Sequence, residues 1–140
     1  MSQPRPDLFQ YFYVSQLAED ASAATVPAIL SKVRHGNAMH GITGVLVFDG
    51  QSFVQYLEGP TGILQGLMDR IAADTRHTQI QVLHRGELPE RRCNRFELGY
   101  ADPTEDGELA EMMARLLNER QGEAAVQHFL ALRSRFDIEG

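Results

Sequence analysis

Two short apolar stretches, Ile42–Phe48 and Ser52–Glu58, flank the dipeptide Asp49-Gly50. Asp-Gly between strand-like runs is among the strongest local signals for a β-hairpin, because the tight turn needs positive φ at residues that tolerate it. The second strand carries an anomaly. Side chains two apart share a strand face, so Gln55 points the same way as Phe53 and Leu57. A buried glutamine brings two N–H donors and a two-lone-pair acceptor that must all find partners. Something polar, a side chain or a bound ligand, has to lie against it.

The segments around the hairpin read as a small mixed domain. Leu8–Val14 is an aromatic-rich strand, with Phe9, Tyr11 and Tyr13 on one face and Leu8, Gln10 and Phe12 on the other. Thr25 suits an N-cap with Pro27 in the first turn, and Val26, Ile29, Leu30 and Val33 form an amphipathic stripe. Gly36 and Asn37 are residues expected at that helix's C-terminal end. Pro60 and Thr61 open a second helix, with Ile63, Leu64, Leu67, Met68 and Ile71 inward and an end near Asp74. Gln79–Arg85 and Phe96–Ala101 complete the strands, joined by a charged, solvated connection, Glu87–Arg95.

The order β-α-β-β-α-β-β predicts an α+β, ferredoxin-like sheet with both helices on one face. On the opposite face, Leu8, Phe12, Leu46, Phe48, Val54 and Tyr56 form a second apolar surface that needs a cover. Two further helices, about Glu105–Asn118 and Gly122–Phe136, or a partner subunit, can supply it. The expected organisation is a flexible tail over residues 1–6, one domain over 7–101, and a helical extension over 102–140.

Composition narrows the function classes. A chain of 140 residues with 43% hydrophobic and 23% charged residues suits one globular domain. Its net charge of −6 offers no attraction to nucleic acid or anionic membranes. No apolar run approaches the roughly 20 residues that span a bilayer, and the first residues lack the apolar core of a signal peptide. A lone cysteine, Cys93, excludes an intrachain disulfide and suits a reducing cytoplasm. The histidines show no metal-ligand spacing, so no metal is expected. Glu58 and Asp49 follow from strand-end and turn patterning, and nothing near Cys93 would activate it as a nucleophile.

Tyr13, Asn37 and Gln55 each have a plain reading: a core phenol, a helix cap, a packing amide. Their joint occurrence in one small α/β domain, with Tyr13-Val-Ser15, Asn37-Ala-Met-His-Gly-Ile42-Thr-Gly44-Val-Leu46, Phe53-Val-Gln55-Tyr-Leu57-Glu58-Gly59-Pro60 and Asp74-Thr-Arg76-His77-Thr-Gln-Ile80 in order, resembles the BLUF family of blue-light sensors. The likeness covers about residues 7–101.

That resemblance implies a non-covalently bound flavin, FAD first, with FMN or riboflavin as alternatives. Ile29 and Ile71 would wall the ring, Asn37 would bond its polar edge, and Arg70 would meet a ring carbonyl or the ribityl chain. Asp74 and His77, in the same motif region, are also expected to contact the flavin, although a role capping or pairing across the tight turn after the second helix suits Asp74 better. Gln55 would bridge Tyr13 and the flavin, with Tyr13 as electron and proton donor. The resemblance thus implies a photoreceptor and not an enzyme, acting on a separate protein partner or through a homo-oligomer. Where the family usually carries Trp-x-Met on the fifth strand, this chain has Phe96-Glu97-Leu98, the residues that would transmit the signal. Gly36 also replaces a frequent polar neighbour of the asparagine. The competing reading is a flavin-free ferredoxin-like interaction or small-molecule-binding module that keeps the motif as packing.

Overall fold

A computed structural model describes residues 7–100, 122–132 and 137–139. Strand β1 (Leu8–Leu17) is followed by a short 3-10 turn (Ala23–Thr25) and helix α1 (Val26–Met39). The hairpin of β2 (Thr43–Phe48) and β3 (Ser52–Pro60) leads directly into α2 (Thr61–Ala73). Then come β4 (His77–Leu88), β5 (Phe96–Tyr100), helix α3 (Glu123–Leu132) and a three-residue strand β6 (Asp137–Glu139). The sheet order is β4-β1-β3-β2-β5-β6. Its first four strands are the antiparallel ferredoxin-like core, and β5 joins parallel to β2.

The hairpin forms where Asp49-Gly50 predicts it. The Asp49 N–H donates to the Ser52 carbonyl at 3.2 Å, and Gly50 adopts φ +96°. Asp49 Oδ1 caps the turn, accepting from the Gln51 and Ser52 N–H groups at 3.0 and 2.7 Å. At Gly44, φ is +149° and a Cβ would lie 1.9 Å from the Tyr56 carbonyl oxygen. Only glycine permits that approach of β2 to β3.

The register decides which residues share a face, and it corrects the sequence reading of β2. Leu46 pairs with Gln55 and Phe48 with Phe53, so both face the two main helices. Val45 and Val47 face the back in their place, with Phe12, Val14, Val54 and Tyr56. Helix α3 covers that surface through Ala125, Val126 and Phe129, all fully buried. The Phe129 ring lies 5.2 Å from that of Phe12. Phe129→Ala would leave a void at this contact and is expected to cost about 3–5 kcal/mol, read from urea unfolding. A loss below about 1 kcal/mol would show that α3 packs loosely.

Other expectations shift for local reasons. Helix α1 does not stop at Gly36 and Asn37; it runs on to Met39, where the His40 N–H closes on the Gly36 and Asn37 carbonyls. Thr25 makes no side-chain cap, because its hydroxyl donates back to the Ser22 carbonyl at 2.8 Å. Ile63 is largely exposed, since the buried stripe of α2 runs through Leu64 and Met68 and Ile63 sits a helical step to one side. The charged connection is partly fastened: Glu58 accepts from the Arg92 and Cys93 N–H groups, and Cys93 is buried. Residues 1–6 and the helix expected over Glu105–Asn118 lie outside the described residues, and β6 was not foreseen.

Candidate functional site

A cavity of about 400 Å³ opens between α1, α2 and the face of the sheet formed by β1, β2 and β3. Its volume is in the range of small-molecule sites. Tyr13, Ile29, Asn37, Gln55, Arg70, Ile71, Asp74 and His77, drawn together from five elements, all line it.

Tyr13 and Gln55 are direct cross-strand partners in β1 and β3, and their parity points both toward the helices. The Tyr13 hydroxyl donates to Gln55 Oε1, which supplies the partner that a buried amide at this position demands. Gln55 therefore keeps its N–H₂ to offer elsewhere. Burial, and secondly the charge of Asp74, push the Tyr13 phenol far above its ordinary pKa. Tyr13 thus holds its proton firmly in the resting protein.

Asn37 is buried in the last turns of α1, and its Nδ2 has no hydrogen-bond partner. An unsatisfied buried donor costs about 1–3 kcal/mol. At the wall of a cavity, that cost is recovered by a ligand carrying an acceptor. Ile29 and Ile71 are half-buried on opposing helices, with Leu30, Val33 and Leu67 beside them. A flat ring between hydrocarbon walls, with acceptors along the edge near Asn37 and Gln55, fits this donor set. Arg70 is exposed in the last turn of α2 and makes no hydrogen bond or ion pair with any described residue, so its guanidinium is free to meet the polar end of such a ligand.

Asp74 and His77 line the cavity with their polar atoms engaged inside the protein. Asp74 pairs with Arg76 two residues on, Oδ2 lying 2.6 Å from the guanidinium and Oδ1 accepting the Arg76 N–H at 3.0 Å. The turn-pairing role anticipated for Asp74 is the one seen. Hydrogen bonds from the Arg76 side chain hold its carboxyl well down, to about 2. A depressed carboxylate adds stability that is complete above the usual carboxylate range and is lost as pH falls through its folded value. Asp74→Asn is therefore expected to flatten the loss of stability between about pH 4 and pH 2. The pair is exposed, so the change should stay under about 1 kcal/mol. Urea midpoints across that range measure it; identical acid slopes would discount the pair.

Phe96 and Leu98 do not line the cavity. They are buried on β5 behind β2, where Leu98 is the parallel partner of Leu46, and Leu46 itself forms part of the lining. Ser22, Thr25, Phe53 and Arg76 also line the cavity and were not anticipated. Hairpin register alone would have added Leu46 and Phe53, whereas nothing local marks Ser22 or Thr25. Among the described residues, no cluster of His, Cys, Asp or Glu is arranged to hold a metal ion, and no helix is long and apolar enough to cross a membrane.

Known proteins resemble this chain in both sequence and fold. Residues 8–99 match the family described as sensors of blue-light using FAD. The photoactivated adenylate cyclase subunit beta of Euglena gracilis is 38% identical over 79 residues, 56% of this chain but 9% of that protein. This chain thus spans under a tenth of that cyclase subunit. Among solved structures, the dark state of BlrB, a BLUF protein, superposes with TM-score 0.73 and 28% identity over 94% of this chain and 99% of that one. Klebsiella pneumoniae BlrP1 with FMN and cyclic diGMP superposes with TM-score 0.66 and 28% identity over 91% of this chain and 34% of that one.

Proposed function

The chain belongs to the family of sensors of blue-light using FAD, and from that premise we propose that Tyr13 and Gln55 carry out its photochemical step while Asn37, Ile29, Ile71 and Arg70 hold the flavin. One observation carries the reading: a hydrogen-bonded Tyr13–Gln55 pair borders an apolar cavity that also contains an orphaned Asn37 amide. A packing-only module gives no reason for that buried amide to lack a partner.

A bound flavin supplies blue absorption and, once excited, a strong one-electron oxidant. Tyr13 is the nearby group built to answer it, since its phenol offers an electron from the ring and a proton from Oη. In the dark, Gln55 Oε1 holds that proton in a defined direction. Loss of an electron makes the phenol a strong acid, so the proton leaves Oη for Oε1. Gln55 then rotates or tautomerises, and electron and proton return to Tyr13. The amide is left in a second arrangement that donates more strongly into the cavity, with red-shifted absorption and a slow thermal return. Ile29 and Ile71 flank this exchange with hydrocarbon.

FAD is the proposed flavin, supported by the family's description, and the FMN in the BlrP1 structure keeps FMN and riboflavin as alternatives. The matched segment is a sensor module with no catalysis of its own. We further propose that residues 7–101 form the sensing unit of a cytoplasmic protein. Residues 102–140 are its output extension, and the signal leaves through Phe96 and Leu98 toward a separate partner or a second copy. Moving such an equilibrium from 1:99 to 99:1 takes about 5.5 kcal/mol, whereas one rearranged hydrogen bond contributes about 1 kcal/mol. Light therefore biases a nearly balanced equilibrium; equal partner affinity in dark and light would exclude this output.

The test is spectroscopic. Purified protein should be yellow, shift to the red under blue light and recover in darkness. A protein that takes up no added FAD, FMN or riboflavin would remove the reading.

A further inference from the structure

Ser15 is fully buried on β1, two residues beyond Tyr13 and on the same face. Its Oγ lies 2.9 Å from His77 Nδ1, and His77 Nε2 lies 2.5 Å from the Ile71 carbonyl oxygen. A carbonyl oxygen only accepts, so Nε2 carries the proton. In the neutral ring Nδ1 is then the acceptor and the Ser15 hydroxyl donates to it. Phe53 meets the imidazole edge-on at 6.2 Å between ring centres. The ring thus bridges the sheet and the last turn of α2.

We infer that this Ser15–His77–Ile71 bridge sets the width of the flavin slot, making Ser15 and His77 positioning residues and not flavin ligands. The inference rests on the flavin reading above and adds to it two residues with a defined task. Both ring nitrogens are engaged within the protein, which leaves His77 no polar atom for a ligand. The two ends of the bridge attach to the elements that matter: β1, which carries Tyr13, and the turn of α2 whose Ile71 walls the cavity.

That turn needs the support. The buried anchors of α2, Leu64 and Met68, both precede it, and Arg70, Ala72 and Ala73 are exposed. The β1–β4 ladder is also interrupted beside Ser15, which has no partner in β4, while Gln79 adopts φ +55°. Bulges of this kind re-aim side chains next to functional sites, and here His77 lies within reach of Ser15. A functional constellation tolerates misplacement of only about 0.5 Å, so the distance from Ile71 to the Tyr13–Gln55 pair is a quantity worth fixing.

The experiment uses the full 140-residue chain and FMN as probe, comparing wild type with His77→Phe, His77→Gln and Ser15→Ala. Glutamine can offer an N–H to Ile71 and an oxygen to Ser15, so it should rescue. His77→Phe is expected to weaken FMN binding at least about tenfold and to blur the fine structure of the bound flavin's blue band. His77→Gln should stay within about threefold of wild type and keep that fine structure; Ser15→Ala, which cuts one arm, should lose about three- to fivefold. The inference is overturned if His77→Phe binds FMN as tightly as wild type, or if His77→Gln fails as fully as His77→Phe. Should His77→Phe not fold, unchanged affinity and band shape in Ser15→Ala overturn it alone. Wild type that binds no flavin brings down the underlying reading and this inference with it, whereas wild-type binding with unaffected variants removes only the bridge.

Discussion

Tyr13→Phe is expected to leave the protein folded, yellow and blind. Phenylalanine keeps the buried ring that lines the cavity, so the slot and its hydrocarbon contacts survive. What disappears is the O–H, and with it the donor to Gln55 Oε1. An unsatisfied buried acceptor costs about 1–3 kcal/mol, within the stability of a domain this size. The photochemical loss should be far larger. The phenol is the proposed source of both the electron and the proton, and without a removable proton the Gln55 amide has no event to reorient it. The light-minus-dark absorption change should fall below about a tenth of wild type while flavin stays bound. Gln55→Ala should give the same null response by removing the group that moves. A normal red shift in either variant would show that another residue drives the reaction.

The site was legible in the sequence to the extent that side-chain chemistry is tied to strand parity. Gln55 stands out because alternation places an amide among apolar residues; its link to Tyr13 is implied only by the family resemblance, and the β1–β3 register shows the two paired. Parity on β2 was misjudged for a physical reason. Facing is inherited across a hairpin through the register, and the turn that sets the register closes between Asp49 and Ser52, which neither strand's own pattern reveals. The helix end at Asn37 was misread because asparagine after glycine is a good cap in isolation. Here the amide turns inward and the helix continues to Met39. His77 illustrates the limit differently. The family resemblance makes it a flavin contact; in the fold it lines the cavity, but its nitrogens are taken by Ser15 and Ile71.

Glu58 carries the second large effect, on stability and not on light. It is fully buried on the back face of β3, and its carboxylate is satisfied by protein donors. Oε1 accepts from Thr43 Oγ1 at 2.8 Å and the Cys93 N–H at 2.7 Å. Oε2 accepts from the Tyr56 hydroxyl at 3.1 Å and the Arg92 N–H at 3.0 Å. Glu58 is thus a buried anchor of the connection into β5, beside the Arg91 contacts with Thr43 and Gly41. Burial, and secondly the charge of Glu58, push the Tyr56 phenol far above its ordinary pKa, so the phenol remains a donor. Glu58→Ala strands two backbone N–H groups and is expected to cost about 3–5 kcal/mol. The isosteric Glu58→Gln should also cost at least about 2 kcal/mol, because each oxygen faces a backbone N–H and an amide nitrogen at either position opposes a donor. Urea unfolding measures both, and hydrogen exchange should show the Arg92 and Cys93 amides opening first. A loss under about 1 kcal/mol in both variants would mean that water replaces the carboxylate. Glu58 and Gln55 point to opposite faces of β3, so the folded Glu58→Gln protein should still shift red under blue light. Loss of the shift with flavin bound and the fold intact would place Glu58 inside the light reaction.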